Sequence, residues 1–231
     1  MVQNFLAGRT VVVFGGTGAL GSAVVVRMLA DEAKVIVADA STPASTNANP
    51  NVRYTTVDAL DEESVESCFA SLDAAPWAVV NLIGGFAGAQ AIVDLDLSIL
   101  RRQLELNLMT AATITKHAVR RFKADGLGGR IVHTSSRVAT QDGHNGFSYS
   151  VSKLAVVRLV EAAAVEVRDD SITVNCVMPS IIDTPANRAS MPTADYAKWP
   201  RASQIAEVIS FLVSDASELI SGAAIPVYGR G

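Results

Sequence analysis

Short apolar runs alternate with longer amphipathic segments from one end of the chain to the other. The apolar runs are rich in β-branched and aromatic residues, as is typical of strands, and cover residues 10–14, 34–38, 52–57, 77–83, 129–134, 171–177 and 223–227. Helices are predicted between them at residues 22–30, 61–72, 98–122, 147–168 and 202–213. Strands that alternate with helices predict an α/β fold, in which a doubly wound parallel sheet of about seven strands has helices on both faces.

The helix predicted at residues 147–168 carries the first candidate chemistry. Its apolar stripe recurs about every 3.6 residues and consists of Leu154, Val157, Val160, Ala164 and Val167. Tyr149 and Lys153 are four residues apart, so they share one face of this helix. A cation about 4 Å from a phenol is worth about 4 kcal/mol at an effective dielectric constant of 20, so we expect Lys153 to lower the pKa of Tyr149 to about 7. The alternative is a surface helix with an amphipathic tyrosine and a solvated lysine.

Composition narrows the class of protein. Hydrophobic residues make up 49% of the 231 residues and charged residues 18%, which suits one domain whose sheet is buried on both faces. A net charge of −4 and the lack of a basic run argue against a nucleic-acid partner. Residues 11–26 are too short and too rich in glycine to span a membrane, and the first nine residues lack the apolar core of a secretion signal.

Two cysteines, Cys68 and Cys176, lie far apart in the sequence and no histidine cluster accompanies them. We interpret them as reduced structural thiols of a cytoplasmic protein, although a disulfide between them stays open. No metal site is predicted.

A glycine-rich turn follows the first strand. It reads Gly15-x-x-Gly18-x-x-Gly21 and leads into the first helix. Glycines let a backbone turn tightly and approach a pyrophosphate, and a helix N-terminus offers free N–H groups and a partial positive charge. Because strand, turn and helix follow in this order, the turn is predicted to bind a dinucleotide. The alternative is an ordinary glycine loop.

Asp39 falls at the end of the second strand, where an acidic side chain can bind both ribose hydroxyls of an adenosine. A carboxylate there would repel the 2′-phosphate of NADP, and residues 40–43 contain no arginine or lysine. We therefore predict a preference for NAD(H), with NADP(H) as the second choice. The alternative role for Asp39 is to cap the following loop.

The order of these motifs resembles that of the short-chain dehydrogenase/reductase family along nearly the whole chain. The matching marks are the glycine turn at 15–21, Asp58, Asn81, Asn107, Ser136, Tyr149-x-x-x-Lys153, Pro179 and Thr184. The resemblance implies a Rossmann-type sheet in a single domain over residues 1–231. The chain departs from the family pattern at Ala19, where the turn usually has its middle glycine, at residues 82–83, and at Ser180.

The resemblance also implies catalytic roles. Tyr149 would exchange a proton with the substrate, and Lys153 would lower its pKa and bind the nicotinamide ribose. Ser136 would hold the reacting oxygen or nitrogen, and Asn107 would anchor a water that relays protons to Lys153. From the residues alone, a solvated side chain in mid-helix is the alternative for Asn107.

Further residues would bind the cofactor. Asp58 and Ala59 would contact adenine, while the backbone of Ile182 and the hydroxyl of Thr184 would hold the carboxamide. Capping is the alternative role for Asp58 and for Thr184. The complete predicted set is Gly15, Gly18, Ala19, Leu20, Gly21, Asp39, Asp58, Ala59, Asn81, Gly84, Tyr149, Lys153, Pro179, Ile182 and Thr184.

A narrower resemblance concerns the substrate. Residues 15–22, 84–88 and 183–196 are similar to dihydropteridine reductases, a branch that uses NADH to reduce quinonoid dihydropterin. Ser136 makes the site closer to an ordinary carbonyl reductase, since the dihydropteridine branch can lack that serine.

Residues 184–200 fall where the family carries its substrate lid, so they are predicted to cover the substrate. Met191, Tyr196 and Trp199 could wall a flat, apolar pocket there. The alternative is a loop that packs its own aromatic rings.

The leading hypothesis is an NAD(P)H-dependent oxidoreductase that transfers hydride between nicotinamide and a small carbonyl or imine substrate, with quinonoid dihydropteridine as one candidate. The alternatives are a carbonyl or 3-oxoacyl reductase or alcohol dehydrogenase of another substrate, and a non-catalytic dinucleotide sensor. A sensor would have no need of Ser136, Tyr149 and Lys153. The resemblance implies a homodimer or homotetramer that pairs the helices bearing Asn107 and Tyr149.

Overall fold

Seven parallel strands form one sheet in the computed structural model, which describes residues 6–42, 49–141 and 146–230. The strands are β1 (Thr10–Phe14), β2 (Lys34–Asp39), β3 (Val52–Thr56), β4 (Ala78–Asn81), β5 (Gly129–Thr134), β6 (Ile172–Pro179) and β7 (Ala224–Val227). Their spatial order is β3-β2-β1-β4-β5-β6-β7, and each neighbouring pair is parallel. The predicted doubly wound α/β fold is confirmed.

Helices cover both faces of the sheet. They are α1 (Ala19–Ala30), α2 (Glu62–Ala70), α3 (Leu97–Leu104), α4 (Thr110–Asp125), α5 (Phe147–Glu166), α6 (Pro185–Ser190) and α7 (Ala202–Val213). The π-helical turn Glu105–Met109 joins α3 to α4. Short 3-10 segments lie at Ile92–Asp94, Arg137–Ala139, Arg168–Asp170, Tyr196–Lys198 and Asp215–Ser217.

Two hydrophobic cores lie on opposite faces of the sheet, and strand β1 contributes to both. Val11 and Val13 belong to the core that includes α1 and α7, whereas Val12 and Phe14 belong to the core that includes α2, α4 and α5. All four side chains are fully buried. Successive strand residues face opposite sides, so a sheet covered on both faces requires a continuous apolar run.

The strand order reverses between β1 and β4, because the chain moves outward from β1 to β3 and then returns to the other side of β1. In open parallel sheets, ligands bind in the crevice beyond the carboxyl ends of the strands at such a reversal. A side chain on Gly15, which follows β1, would lie 3.2 Å from the backbone of Leu82 and Ile83, which follow β4. The glycine turn therefore sits at the reversal.

Some predicted boundaries differ from the structure. Asp96, not Ser98, caps α3, because its carboxylate accepts a hydrogen bond from the Ser98 N–H at 2.8 Å. Strand β6 runs through Pro179 instead of ending at Val177, and Pro179 is its last residue. Residues 180–200, for which the sequence predicts neither a strand nor a helix, contain α6. Residues 41–50 and 137–146, which lie between predicted elements and are expected to form loops, fall partly outside the described residues.

Neither cysteine is part of a disulfide or a metal cluster in the described ranges. Cys68 and Cys176 are buried free thiols, and no group of three or more histidine, cysteine or acidic side chains is placed to hold a metal ion there. Burial raises the pKa of Cys68 to about 11 and that of Cys176 to about 12, so both thiols stay protonated at neutral pH. Within the same ranges, no helix is long and apolar enough to cross a membrane.

Candidate active site

Close backbone contacts shape the glycine turn between β1 and α1. Gly15 has a φ of +75°, a conformation that favours glycine, and its N–H donates to the Ala38 carbonyl at 2.9 Å. A side chain on Gly21 would overlap the Gly15 carbonyl and would lie 2.6 Å from the Gly16 Cα. Glycine at positions 15 and 21 therefore lets α1 pack directly against the turn.

The N-terminus of α1 suits an anion. Gly18 is the N-cap, no side chain of the described residues caps it, and the first turn contains no acidic residue. The first N–H groups of a helix have no partner within the helix, so those of Ala19, Leu20 and Gly21 can serve a pyrophosphate. The residues present thus fit the dinucleotide predicted for this turn.

Asp39 lies beside the same turn. One carboxylate oxygen accepts hydrogen bonds from the N–H and the hydroxyl of Thr17 at 3.0 and 2.6 Å. The other accepts from the Ala40 N–H at 2.8 Å. The capping role left open for Asp39 is therefore present, and it holds the carboxylate against the glycine turn.

Asp58 follows β3 and caps its own loop. Its carboxylate accepts from the Leu60 N–H at 2.9 Å, and its own N–H donates to the Ser64 hydroxyl at 3.1 Å. Ala59 next to it is buried. The capping alternative for Asp58 is thus present, and the contact of Asp58 and Ala59 with adenine stays a prediction.

Tyr149 and Ser136 meet beyond the carboxyl end of β5. Tyr149 lies in the first turn of α5, Ser136 follows β5, and both residues are partly exposed. Burial raises the pKa of Tyr149 above its ordinary value, and the nearby Ser136 side chain opposes this rise. The ring of Phe86 packs edge-to-face against Tyr149, with centroids 5.4 Å apart and an interplanar angle of 85°.

Lys153 is buried one helical turn after Tyr149, with 3% of its surface exposed. Its Nζ donates to the Thr134 carbonyl at 2.9 Å and lies 5.9 Å from the centroid of the Tyr149 ring. Desolvation lowers the pKa of Lys153 to about 8. The expectation that Lys153 lowers the pKa of Tyr149 to about 7 is wrong for this structure. Withdrawal of the phenol from water dominates its pKa, and the ammonium group is bonded to a carbonyl instead.

Asn107 lies in the π-helical turn and is buried, so a solvated side chain is excluded. Its Oδ1 accepts from the Gly85 N–H at 3.0 Å, and its Nδ2 lies 3.1 Å from the Gly85 carbonyl and 3.0 Å from the Ser152 hydroxyl. A side chain on Gly84 would lie 2.6 Å from both Asn107 Oδ1 and Lys153 Nζ. Asn107 therefore holds the loop after β4 against the buried lysine.

A buried polar chain supports the end of β4. The Asn81 Oδ1 accepts from the Ile83 N–H at 3.0 Å, and its Nδ2 lies 3.2 Å from His133 Nδ1. His133 Nε2 lies 2.9 Å from the Thr115 hydroxyl, whose proton goes to a backbone carbonyl of α4. We therefore assign Nε2 as the donor and Nδ1 as the acceptor of a neutral imidazole. Desolvation, with a smaller effect of Lys153, lowers the pKa of His133 to about 4.

Thr184 and Ile182 follow β6, which ends at Pro179. Thr184 caps α6 by accepting from the Asn187 N–H at 3.2 Å, and the Ile182 carbonyl accepts from Asn187 Nδ2 at 2.8 Å. The capping alternative for Thr184 is therefore present. Binding of a carboxamide by Ile182 and Thr184 stays a prediction.

The aromatic residues of the predicted lid contact one another. The rings of Tyr196 and Trp199 have centroids 5.0 Å apart, and the Tyr196 hydroxyl lies 3.2 and 3.1 Å from the carbonyls of Arg188 and Met191. Arg188 donates to both oxygens of Asp183 at 2.6 and 2.8 Å. The alternative of a loop that packs its own rings is therefore present for Tyr196 and Trp199.

Comparison with known proteins decides the family. The family model described as short chain dehydrogenase matches residues 9–195. The chain belongs to the short-chain dehydrogenase family. Like its relatives, this short-chain dehydrogenase is an NAD(P)-dependent oxidoreductase, so the predicted enzyme class is confirmed.

Relatives match this short-chain dehydrogenase over nearly its full length. It is 33% identical to cis-4-hydroxycyclohexanecarboxylate dehydrogenase from Sinomonas cyclohexanicum, over 96% of each chain. It is 28% identical to 3beta-hydroxysteroid dehydrogenase 2 from Eggerthella lenta, over 97% of this chain and 95% of the relative. A short-chain type dehydrogenase/reductase structure from Mycobacterium ulcerans superimposes with a TM-score of 0.88 at 26% identity, covering 97% and 90% of the two chains.

Sequence reasoning missed several residues of the site in this short-chain dehydrogenase. Thr17 contacts Asp39, Phe86 contacts Tyr149, and His133 contacts Asn81. Gly85 and Ser152 both contact Asn107. Position gave a weak signal for three of them: Thr17 lies within the glycine turn, Phe86 within the glycine-rich residues 84–88, and Ser152 between Tyr149 and Lys153. Their partners are distant in sequence, so only the packed fold reveals what each side chain does.

Proposed function

We propose that this short-chain dehydrogenase oxidises a secondary alcohol on a carbocyclic ring and, in reverse, reduces the corresponding ketone. The observation that carries the proposal is the partly exposed phenol of Tyr149, which lies beside the apolar ring of Phe86 and close enough to Ser136 for that side chain to lower its pKa. Two relatives support the substrate class, since the name of one describes a hydroxycyclohexane and that of the other a hydroxysteroid.

Tyr149 would carry the proton. During reduction the phenol would donate its proton to the ketone oxygen, and during oxidation the phenolate would take the proton of the alcohol, while Ser136 holds the same oxygen by a hydrogen bond. The phenol of Tyr149 is protonated at neutral pH, as for an ordinary tyrosine, and burial raises its pKa further, so it can donate a proton during reduction. Lys153 would stabilise the phenolate, and Asn107 would hold the loop that covers Lys153. The nicotinamide of the cofactor supplies or accepts the hydride.

NAD(H) is the cofactor we propose, held by the glycine turn and Asp39. The two bonds from Thr17 to Asp39 fix a carboxylate beside that turn, where it would repel the 2′-phosphate of NADP(H). The Michaelis constants for NADH and NADPH test the proposal. A clear preference for NADPH would contradict it.

Quinonoid dihydropterin is the second candidate substrate, supported by the similarity of residues 15–22, 84–88 and 183–196 to dihydropteridine reductases. Residues 184–200 would then act as the lid over the pterin. The contact between Tyr196 and Trp199 weakens this candidate, because those rings pack on each other and leave less aromatic surface for a flat substrate.

One set of assays separates the candidate functions. NADH oxidation is followed with cyclohexanone, quinonoid dihydropterin and a 3-oxoacyl thioester, and NAD reduction with cyclohexanol. We expect the ring ketone to have the highest kcat/KM. If the enzyme turns over only the pterin or only the thioester, that compound replaces the ring alcohol as the proposed substrate. Tight NADH binding without turnover of any compound would favour the dinucleotide sensor.

We also propose that the protein is a homodimer or homotetramer. The helices that carry Asn107 and Tyr149 expose apolar side chains, with Met109 53% and Leu154 48% exposed. Leu154 belongs to the apolar stripe predicted for α5, and a second copy would cover its exposed side chain. Sedimentation of the wild type and of Leu154→Glu tests this proposal: we expect the wild type to be an oligomer that the substitution weakens, and a monomeric wild type would contradict it.

A further inference from the structure

We propose that Phe86 is the specificity-determining wall of the substrate pocket and selects an apolar ring over a small open-chain alcohol. This inference rests on the proposed function, because it concerns the substrate that Tyr149 and Ser136 would bind. It extends that function by assigning the ring selectivity to one side chain outside the proton-transferring group.

The exposure of Phe86 is the first step. Its residue surface is 59% exposed although its ring packs edge-to-face against Tyr149, 5.4 Å away. Aromatic rings carry a large apolar area, and burying that area against a ligand is favourable. Phe86 therefore offers apolar surface next to the phenol that would transfer the proton.

The position of Phe86 is fixed by its neighbours, which is the second step. Both backbone polar groups of Gly85 bind the side chain of buried Asn107, at 3.0 and 3.1 Å. Further along the same loop, Gln90 forms a β-bridge with Gly146, just before α5. The loop is thus tied at one end to the turn that carries Asn107 and at the other to the start of the helix that carries Tyr149.

Selectivity follows from this placement. Any secondary alcohol can bond its hydroxyl to Ser136 and Tyr149, but only a substrate with a bulky apolar body also covers the Phe86 ring. An apolar pocket contact discriminates between substrates by about tenfold or more. The same ring adds little to a three-carbon alcohol, whose body is too small to cover it.

The test compares the oxidation of cyclohexanol and 2-propanol by the wild type, Phe86→Ala, Phe86→Leu and Phe211→Ala. Phe211 is the matched control because it is also exposed, at 41%, but lies on α7, which packs against α1. We expect Phe86→Ala to lower kcat/KM for cyclohexanol by about tenfold and to change that for 2-propanol by less than about threefold. Phe86→Leu should keep most of the selectivity, and Phe211→Ala all of it.

A second readout does not depend on turnover. Calorimetric titration of cyclohexanone into the enzyme–NAD complex should give a dissociation constant about tenfold weaker for Phe86→Ala than for the wild type. NAD itself should bind both proteins equally, which excludes a general loss of structure.

The outcomes separate the two proposals. If the wild type oxidises neither alcohol, the proposed function fails, and the titration then decides the role of Phe86 by itself. An unchanged ratio of the two kcat/KM values in Phe86→Ala, or unchanged cyclohexanone binding, would overturn the inference. The inference would also be overturned if the wild type bound no cyclohexanone.

Discussion

The two sides of the crevice are built in different ways. The side proposed to bind the nucleotide, with the glycine turn at 15–21 and Asp39, comes from a single strand–helix–strand unit, and it offers backbone N–H groups to a pyrophosphate. The side proposed to be catalytic joins Tyr149, Lys153 and Asn107 from two helices that meet over the sheet. We therefore expect substitution of a single side chain to lower activity more on the catalytic side than on the nucleotide side. Four predictions test this comparison.

The largest effect is expected from Tyr149→Phe, which removes the oxygen that would transfer the proton. Turnover should fall by about a hundredfold or more, while NADH binding should change little because the ring and its contact with Phe86 remain. Steady-state kinetics and NADH titration check the two expectations. Near-normal turnover would remove Tyr149 from the mechanism.

Asn107→Ala should damage structure as well as turnover. It leaves the partly buried N–H and carbonyl of Gly85 and the buried Gln103 Oε1 without the Asn107 side chain, and a buried polar group left unsatisfied costs about 1–3 kcal/mol. We expect the free energy of unfolding in urea to fall clearly, whereas Tyr149→Phe should change it by less than about 1 kcal/mol. Equal stability of the two variants would contradict the conclusion that Asn107 holds the loop after β4 in place through Gly85.

On the nucleotide side, Asp39→Ala should change the choice of cofactor more than the rate. The repulsion of a 2′-phosphate disappears, so the ratio of kcat/KM for NADPH to that for NADH should rise by about tenfold, while kcat with saturating cofactor stays close to that of the wild type. Asp73→Ala removes the same charge from an exposed site and is the control. If the NADPH-to-NADH ratio rises equally in Asp39→Ala and Asp73→Ala, the change comes from the net charge of the protein and not from the position of Asp39.

The smallest effect is expected in the pH dependence of stability. The pKa of His133 is about 4 in the folded protein and about 6.5 when unperturbed, so between these values the unfolded chain binds a proton that the folded chain does not. The free energy of unfolding therefore falls as the pH decreases through this window, by up to about 1.4 kcal/mol per pH unit. His133→Gln should lose less stability between pH 6.5 and pH 5 in urea titrations. Identical losses in both proteins would refute a buried neutral imidazole.

Secondary structure was most predictable where local pattern dominates. The bounds of β1, β5 and α7 agree with the apolar runs and periodicity of the sequence. The start of α3 was misplaced because Asp96 and Ser98 both suit an N-cap, and only the hydrogen bond decides between them. Periodicity places Leu154 in the apolar stripe of α5 but does not tell a core from an interface, and only the structure shows that Leu154 is exposed.

The sequence by itself determined the alternating strands and helices, the glycine turn between the first strand and the first helix, and the shared helix face of Tyr149 and Lys153. These features depend on residues that are close in the chain. Only the tertiary structure decided that Asn107 holds Gly85, that Phe86 packs against Tyr149, and that burial raises the pKa of the phenol. Each of these results depends on desolvation and on contacts between distant elements, which no local pattern of residues encodes.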